Sequence, residues 1–135
     1  MAHMSWRKDY SVNIISIDKQ HHKMIDLINQ LEDGAKAHQA PKTMGSVVSE
    51  LLSYTKNHFK TEEALMRKYD YPGFASHKAE HQMLVKRVAE FQGKFKAGTL
   101  TDIHDLANFL MGWLEGHILG TDKKYSPYLV EKGVR

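Results

Sequence analysis

Nine histidines and no cysteine occur among the 135 residues of this chain. A metal site built from this sequence must therefore use nitrogen and oxygen ligands, and sites rich in imidazole suit zinc, copper and iron. Two pairs have the spacing that such a site needs, because His58 and Glu62 are four residues apart, as are His77 and His81. On an α-helix, residues four apart lie on the same side and can hold one metal ion together.

The apolar pattern predicts four amphipathic helices that would position these residues. The predicted helices run from about Asp18 to His38, from Thr43 to Lys68, from Phe74 to Lys96, and from a cap at Thr101 or Asp102 to Leu119. Asp18 is the predicted N-cap of the first helix, residues 39–41 are predicted to end it, and Gly98 is predicted to end the third. No alternating pattern favours a strand, so we expect an all-α, antiparallel up-down four-helix bundle.

The two ends of the chain are predicted to be shorter elements of the same domain. Residues 1–17 lack a helical pattern and predict an extended N-terminal arm that packs on the body through apolar residues. Residues 122–131 predict a short C-terminal helix despite Pro127. The expected organisation is thus one domain, with the arm at 1–17 and the bundle at 18–135.

Each helix places histidine on its buried face when its apolar stripe is extended. The residues concerned lie near the start of the first and third helices and near the end of the second and fourth: His21, His58 with Glu62, His77 with His81, and His117. In an antiparallel bundle these places form one level at one end. A lone buried histidine is more often a hydrogen-bonded core residue than a ligand, but five at one level would each need a separate partner.

Three other histidines fall off these stripes, and two glutamates have the character of charged surface residues. We interpret His22, His38, His104, Glu63 and Glu115 as ordinary solvated surface residues.

Five histidines and a carboxylate are too many ligands for one zinc ion, which usually takes four. Two metal ions sharing a bridging carboxylate fit this number better. Asp122 follows His117 by five residues, or about 140° of rotation on a regular helix. Asp122 can therefore reach the cluster only if the helix loosens or ends there, and Gly116 and Gly120 favour such a change.

The composition excludes several other classes of protein. Without cysteine there are no disulfides, iron–sulfur clusters or thiolate zinc sites. No apolar run approaches the ~20 residues of a membrane span, and no signal-peptide core is present. The 19 basic and 16 acidic residues are too evenly balanced for a dedicated nucleic-acid binder. We expect a cytoplasmic monomer.

Four segments together resemble the hemerythrin family, in its single-domain bacterial form. In family order they are residues 17–21 (Ile-Asp-Lys-Gln-His), 58–63 (His-Phe-Lys-Thr-Glu-Glu), 77–81 (His-Lys-Ala-Glu-His) and 113–122 (Trp-Leu-Glu-Gly-His-Ile-Leu-Gly-Thr-Asp). Each segment alone is a weak signal, whereas the combination is highly specific and spans nearly the whole chain.

The resemblance implies a non-haem di-iron centre bridged by a solvent-derived oxo or hydroxo group. His77, His81 and His117 would hold one iron, His21 and His58 the other, and Glu62 and Asp122 would bridge them. It further implies that dioxygen binds reversibly at the two-histidine iron and is held there as hydroperoxide. An apolar pocket that excludes water would be formed by Phe59, Trp113, Leu114 and Ile118.

The resemblance therefore favours a non-enzymatic oxygen carrier, store or delivery protein, with weak docking to an oxygen-consuming enzyme as one use. Two alternatives stay open. The first is an oxygen or redox sensor that acts on a separate partner. The second is a di-iron enzyme that turns over peroxide, nitric oxide or ferrous iron.

Overall fold

A computed structural model describes residues 4–97 and 103–135, and all regular structure within them is helical. The main helices are α1 (Ile15–Lys36), α2 (Pro41–Lys68), α3 (Phe74–Lys96), α4 (Ile103–His117) and α5 (Lys123–Glu131). Helix α1 packs against α2 and α4, and α2 packs against α3. The predicted four-helix bundle is confirmed, while the predicted cap at Thr101 or Asp102 and the predicted helix end at Gly98 lie outside the described residues.

The bundle core consists of the predicted apolar stripes. Leu31, Leu51, Leu84 and Leu106 are all buried, one from each long helix. The aromatic members of the stripes, among them Phe91, are only partly buried and pack against this core. Burial of such side chains stabilises a fold by about 1.5–3 kcal/mol each, so the stripes dominate the packing of the bundle.

Helix α1 begins earlier than predicted, at Ile15, and Asp18 is not its N-cap. Asp18 lies in the first turn, where its carboxylate accepts hydrogen bonds from the Ser11 hydroxyl (2.6 Å) and the Val12 backbone N–H (2.9 Å). The residue therefore ties the preceding arm to the helix instead of capping it. The arm prediction was wrong for residues 15–17, which are helical.

The arm packs on the body as predicted. A short 3₁₀ turn at Lys8–Tyr10 interrupts its extended path, and Tyr10, Val12 and Ile14 are buried. The Ser126 hydroxyl donates to the Val12 carbonyl at 2.6 Å, so the arm is also fixed to α5.

The connection between α1 and α2 has the predicted length of four residues but lies two residues earlier, at 37–40. Helix α1 ends at Lys36, and Pro41 is the first residue of α2. Proline suits that position, because the first helical N–H has no partner within the helix. His38 lies between them with a left-handed backbone (φ 51°) and an exposed side chain.

Helix α4 does not end at Leu119 as predicted. A π-helical turn, Ile118–Asp122, follows His117 directly and leads into α5, which includes Pro127. None of the helices among the described residues is both long and apolar enough to cross a membrane.

The His104 side chain is 37% exposed, but it is not merely solvated as the sequence interpretation expected, because it also contacts a buried carboxylate. Its Nδ1 lies 3.0 and 3.1 Å from the two carboxylate oxygens of Glu32, whose side chain is fully buried. His104 and His117 are thirteen residues apart on α4, about 20 Å along the helix axis. This contact thus belongs to the end of the bundle opposite the predicted metal ligands.

Replacing His104 with alanine should destabilise the protein without changing its metal content. The substitution leaves the buried Glu32 carboxylate without its closest partner, a loss that costs about 1–3 kcal/mol. Chemical unfolding and elemental analysis of the same preparation measure the two quantities. His38→Asn is the matched control, since His38 is exposed and asparagine tolerates its left-handed backbone. Loss of metal from His104→Ala would contradict the separation of the two ends.

Candidate metal centre

One end of the bundle buries a cluster of seven side chains whose residue types can bind a metal ion. All seven predicted ligands belong to it and none is more than 4% exposed: His21, His58, Glu62, His77, His81, His117 and Asp122. Histidine, glutamate and aspartate are rarely buried together unless they are paired or hold a metal. The structure thus brings together every residue that the stripe analysis selected.

The ligand atoms form two groups that share one carboxylate. Glu62, His77, His81, His117 and Asp122 can present atoms within 4.8 Å of one another, and Glu62 also groups in this way with His21 and His58. The arrangement suits two neighbouring ions with Glu62 between them.

Asp122 also lies between the two groups. Its Oδ1 is 3.0 Å from the Nε2 atoms of both His77 and His117, and its Oδ2 is 3.1 Å from Nε2 of His21. The two oxygens of one carboxylate thus lie near imidazoles of both groups, as a bridging ligand requires.

The π-helical turn accounts for the position of Asp122. Its hydrogen bonds span five residues instead of four, so residues five apart come to the same side of the helix. His117 and Asp122 have this spacing and are in contact, whereas a regular helix would separate them by about 140°. The sequence expectation that the helix loosens here is confirmed.

Three of the imidazoles are oriented by hydrogen bonds from Nδ1 to oxygen atoms. His58 donates to the Gln20 side-chain oxygen (2.6 Å), and His81 donates to Glu63 (2.9 Å). His117 donates to Glu80 (3.0 Å). Because a carbonyl or carboxylate oxygen accepts, each Nδ1 carries the proton and each Nε2 keeps a free lone pair for a metal.

The contact between His81 and His117 fits a cation between them. Their Nε2 atoms are 3.2 Å apart, and both Nδ1 atoms already donate to carboxylates. Two neutral imidazoles in this state would point lone pairs at each other. A shared proton or a metal ion removes that repulsion.

Several buried atoms of the cluster have no hydrogen-bond partner among the described residues. They are both ring nitrogens of His21, Oε1 of Glu62, Nε2 of His77 and both carboxylate oxygens of Asp122. All of them except Nδ1 of His21 lie 3.0–3.3 Å from neighbouring side-chain atoms of the cluster without hydrogen-bond geometry. Ligands at right angles around an ion with bonds of about 2.1 Å have a similar separation, so the atoms fit metal ligands. A donor set of five imidazoles and two carboxylates suits a non-haem di-iron site.

The electrostatics of the cluster also favour a bound cation. Burial alone would raise the pKa of Asp122, but its contacts with His117, His21 and His77 hold that pKa well below its usual value. The pKa of Glu62 is likewise lowered, mainly by His58 against the effect of burial. Burial lowers the pKa of His117, yet Asp122 outweighs it and raises that pKa to about 9. Without metal, protons on the imidazoles would have to balance the two carboxylates.

Tyr125 is a buried neighbour of the cluster that the sequence analysis missed. Its hydroxyl donates to Oε2 of Glu62 in a short hydrogen bond, and its ring stacks on His77 with centroids 5.4 Å apart. Burial and the nearby Glu62 carboxylate raise the pKa of Tyr125 well above its usual value. The hydroxyl therefore stays protonated and is directed at Glu62.

The four predicted pocket residues line the same end of the bundle. Leu114 and Ile118 are buried on either side of His117, and Phe59 is 3% exposed. The Phe59 ring stacks on His81 at 3.7 Å between centroids, and Trp113 stacks on His117 at 4.3 Å. Apolar groups therefore cover at least two of the imidazoles.

Other residues around the site differ from the sequence interpretation. Glu63 was interpreted as ordinary surface, which is wrong, because it accepts from His81 and its side chain is only 18% exposed. Glu115 is half-buried and pairs with Arg7 at 3.3 Å, whereas His22 is exposed as predicted. Gln20, Glu63 and Glu80 each adjoin a ligand in the sequence, a signal that could have identified them as orienting residues.

Comparisons with known proteins agree with this geometry. Residues 13–129 match the model of the hemerythrin HHE cation binding domain. A bacteriohemerythrin of Stenotrophomonas maltophilia is 39% identical over 93% of this chain and 81% of its own length. One of Methylococcus capsulatus is 38% identical over 96% of this chain and 98% of its own. A crystal structure of wild-type hemerythrin is similar with a TM-score of 0.90 and 39% identity, over 95% of this chain and 98% of the other.

Proposed function

This chain belongs to the hemerythrin family, and we propose that it binds dioxygen reversibly at a non-haem di-iron centre. The observation that supports the proposal most directly is the convergence of five imidazoles and two carboxylates in a buried cluster. In this proposal His77, His81 and His117 hold one iron and His21 and His58 hold the other. Glu62 and Asp122 lie between them as bridges.

Two ferrous ions at this centre would transfer electrons to dioxygen when it binds. The same electrons would return to the iron ions when dioxygen is released. The two carboxylates and five neutral imidazoles provide fewer negative charges than a carboxylate-rich di-iron site of the ferritin-like bundles. Fewer anionic ligands stabilise highly oxidised iron less, which favours reversible binding over oxidation of a substrate.

The protein's own residues have two tasks in this function. Gln20, Glu63 and Glu80 keep the imidazole rings in place through Nδ1. The apolar residues Leu114 and Ile118 exclude water and protons from the site. An enzyme that cleaves the O–O bond would need a further acid or base positioned beside the bound dioxygen. The nearby Tyr125 hydroxyl does not favour that role, because it already donates its proton to Glu62 in a hydrogen bond.

The diferrous protein is expected to take up one dioxygen per chain and to release it under vacuum. The visible absorption band of the oxygenated form should develop on addition of dioxygen and vanish on evacuation, over several cycles. An oxygen electrode and absorption spectroscopy on the same sample measure the stoichiometry and the reversibility. Rapid multi-turnover consumption of peroxide or nitric oxide, without recoverable dioxygen, would instead assign an enzyme.

A further inference from the structure

A groove of about 410 Å³ lies on the surface between α2 and α3. We call it the basic groove, and its lining comprises Lys56, Phe59, Lys60, Glu63, Lys78, His81, Gln82, Val85 and Lys86. Three of the four lysines are exposed, and Lys78 is half-buried. The groove therefore has an apolar centre, formed by Phe59 and Val85, together with a set of positive charges.

The basic groove lies on the part of the chain that carries the positive charge of the protein. Residues 41–96, which form α2 and α3, contain ten basic and six acidic residues. The rest of the chain contains nine basic and ten acidic residues, so the formal net charge of +3 arises from these two helices. A concentrated charge of this kind attracts partners of opposite charge and speeds their association.

One side chain, His81, lines the basic groove and also belongs to the candidate metal centre. Phe59 and His81 both line the groove, and their rings are parallel within 2° at a centroid distance of 3.7 Å. Nδ1 of His81 donates to Glu63, which also lines the groove, while Nε2 of His81 faces the other ligands. The His81 imidazole thus belongs both to the lining of the groove and to the proposed ligand cluster.

From these observations, and resting on the proposed function, we propose that the basic groove docks an acidic one-electron carrier protein that re-reduces the oxidised di-iron centre. A reversible oxygen binder needs such a partner, since any diferric, oxygen-free protein is inactive until it is reduced. Two carriers, each losing one electron, would convert two ferric ions to ferrous ions. No bond to the protein forms or breaks.

The lining favours a protein over a small anion as the occupant. Glu63 places a negative charge in the groove beside His81, where a small anion seated on the floor would meet it. A protein can put an apolar patch on the half-buried Val85 and keep its carboxylates with the lysines. An apolar centre with a charged rim is the usual anatomy of a protein–protein interface.

The test uses the iron-loaded protein and a reduced plant-type [2Fe–2S] ferredoxin as the acidic carrier. Lys60→Gln/Lys78→Gln removes two charges from the basic groove. Lys23→Gln/Lys124→Gln removes two exposed charges from α1 and α5 and is the matched control. At low ionic strength the groove variant should lose about tenfold in affinity for oxidised ferredoxin, measured by calorimetry, and about tenfold in the rate of diferric reduction. The control variant should change little in either quantity.

An equal loss in both variants would overturn the proposal, because net charge rather than the groove would then govern association. The proposal also fails if the wild type does not bind ferredoxin. It fails as well if the groove variant loses the same factor in its rate of reduction by dithionite as in its rate of reduction by ferredoxin, because that result would indicate a small-anion site. Dioxygen uptake by both variants tests the proposed function separately, since docking affinity is measured without dioxygen.

Discussion

Replacing His117 with alanine is expected to remove at least one of the two metal ions and to lower the thermal stability strongly. The His117 imidazole contacts His81 at 3.2 Å and Asp122 at 3.0 Å, so it connects proposed ligands from three helical segments. Metal that is present at about a thousand times its dissociation constant stabilises a fold by about 4 kcal/mol. Elemental mass spectrometry gives the iron content per chain, and calorimetry gives the melting temperature before and after chelation.

His22→Ala is the control for this substitution. His22 adjoins a proposed ligand in sequence, but it is exposed and stacks on Trp6 at 3.9 Å between ring centroids. Its replacement should leave the iron content unchanged. Iron lost from His22→Ala but retained in His21→Ala would reverse the ligand assignment on α1. A single tightly held zinc ion in the wild type, with no uptake of iron under anaerobic conditions, would contradict the di-iron proposal itself.

Leu114→Asn and Ile118→Asn are expected to shorten the lifetime of the oxygenated protein while its iron content stays nearly constant. Both side chains are buried beside His117, at 2% and 0% exposure. An amide at either position would place a polar group where the chain now has a buried apolar side chain, and would admit water and protons to the proposed dioxygen site. We expect about tenfold faster conversion to the oxygen-free diferric form, equivalent to a barrier lower by about 1.4 kcal/mol. Stopped-flow absorption spectroscopy follows the decay.

Leu114→Met separates this effect from a change in packing. Methionine is apolar and similar in volume to leucine, and such exchanges usually cost less than about 1.5 kcal/mol of stability. This variant should hold dioxygen about as long as the wild type. If the asparagine variants also do so, the pocket assignment is wrong even where the ligand assignment survives.

The level and identity of the buried polar cluster could be predicted from the sequence because helical periodicity gives the buried face of each helix and the antiparallel arrangement brings the histidines on those faces to one level. Apolar stripes place Leu51 and His58 on one face of α2 whatever the exact bounds of the helix are. The same logic found Asp122 only conditionally, since its position depends on a departure from regular helix geometry. The structure supplies that departure as a π-helical turn.

Helical periodicity could not predict which polar residues pair across the bundle from different helices. Glu32 and His104 come from different helices, and their contact depends on how α1 and α4 pack. Gln20, Glu63 and Glu80 lie at the edges of their stripes, where a polar residue is ordinary on a solvated face. Asp18 looked like a helix cap because its residue type suits one, but the arm before it offers two hydrogen-bond donors that compete for the carboxylate.

The π-helical turn also determines which way the side chains of the following helix, α5, point around the helix axis. Such a turn contains one residue more than an α-helical turn, so α5 is rotated by roughly 100° from where an uninterrupted helix would place it. Because of that rotation, Tyr125 contacts Glu62 and Ser126 contacts the arm. The number of residues between His117 and α5 is therefore as important as their identity. Deleting one residue from 118–121 would misdirect Asp122, Tyr125 and Ser126 together, whereas a substitution there alters one side chain.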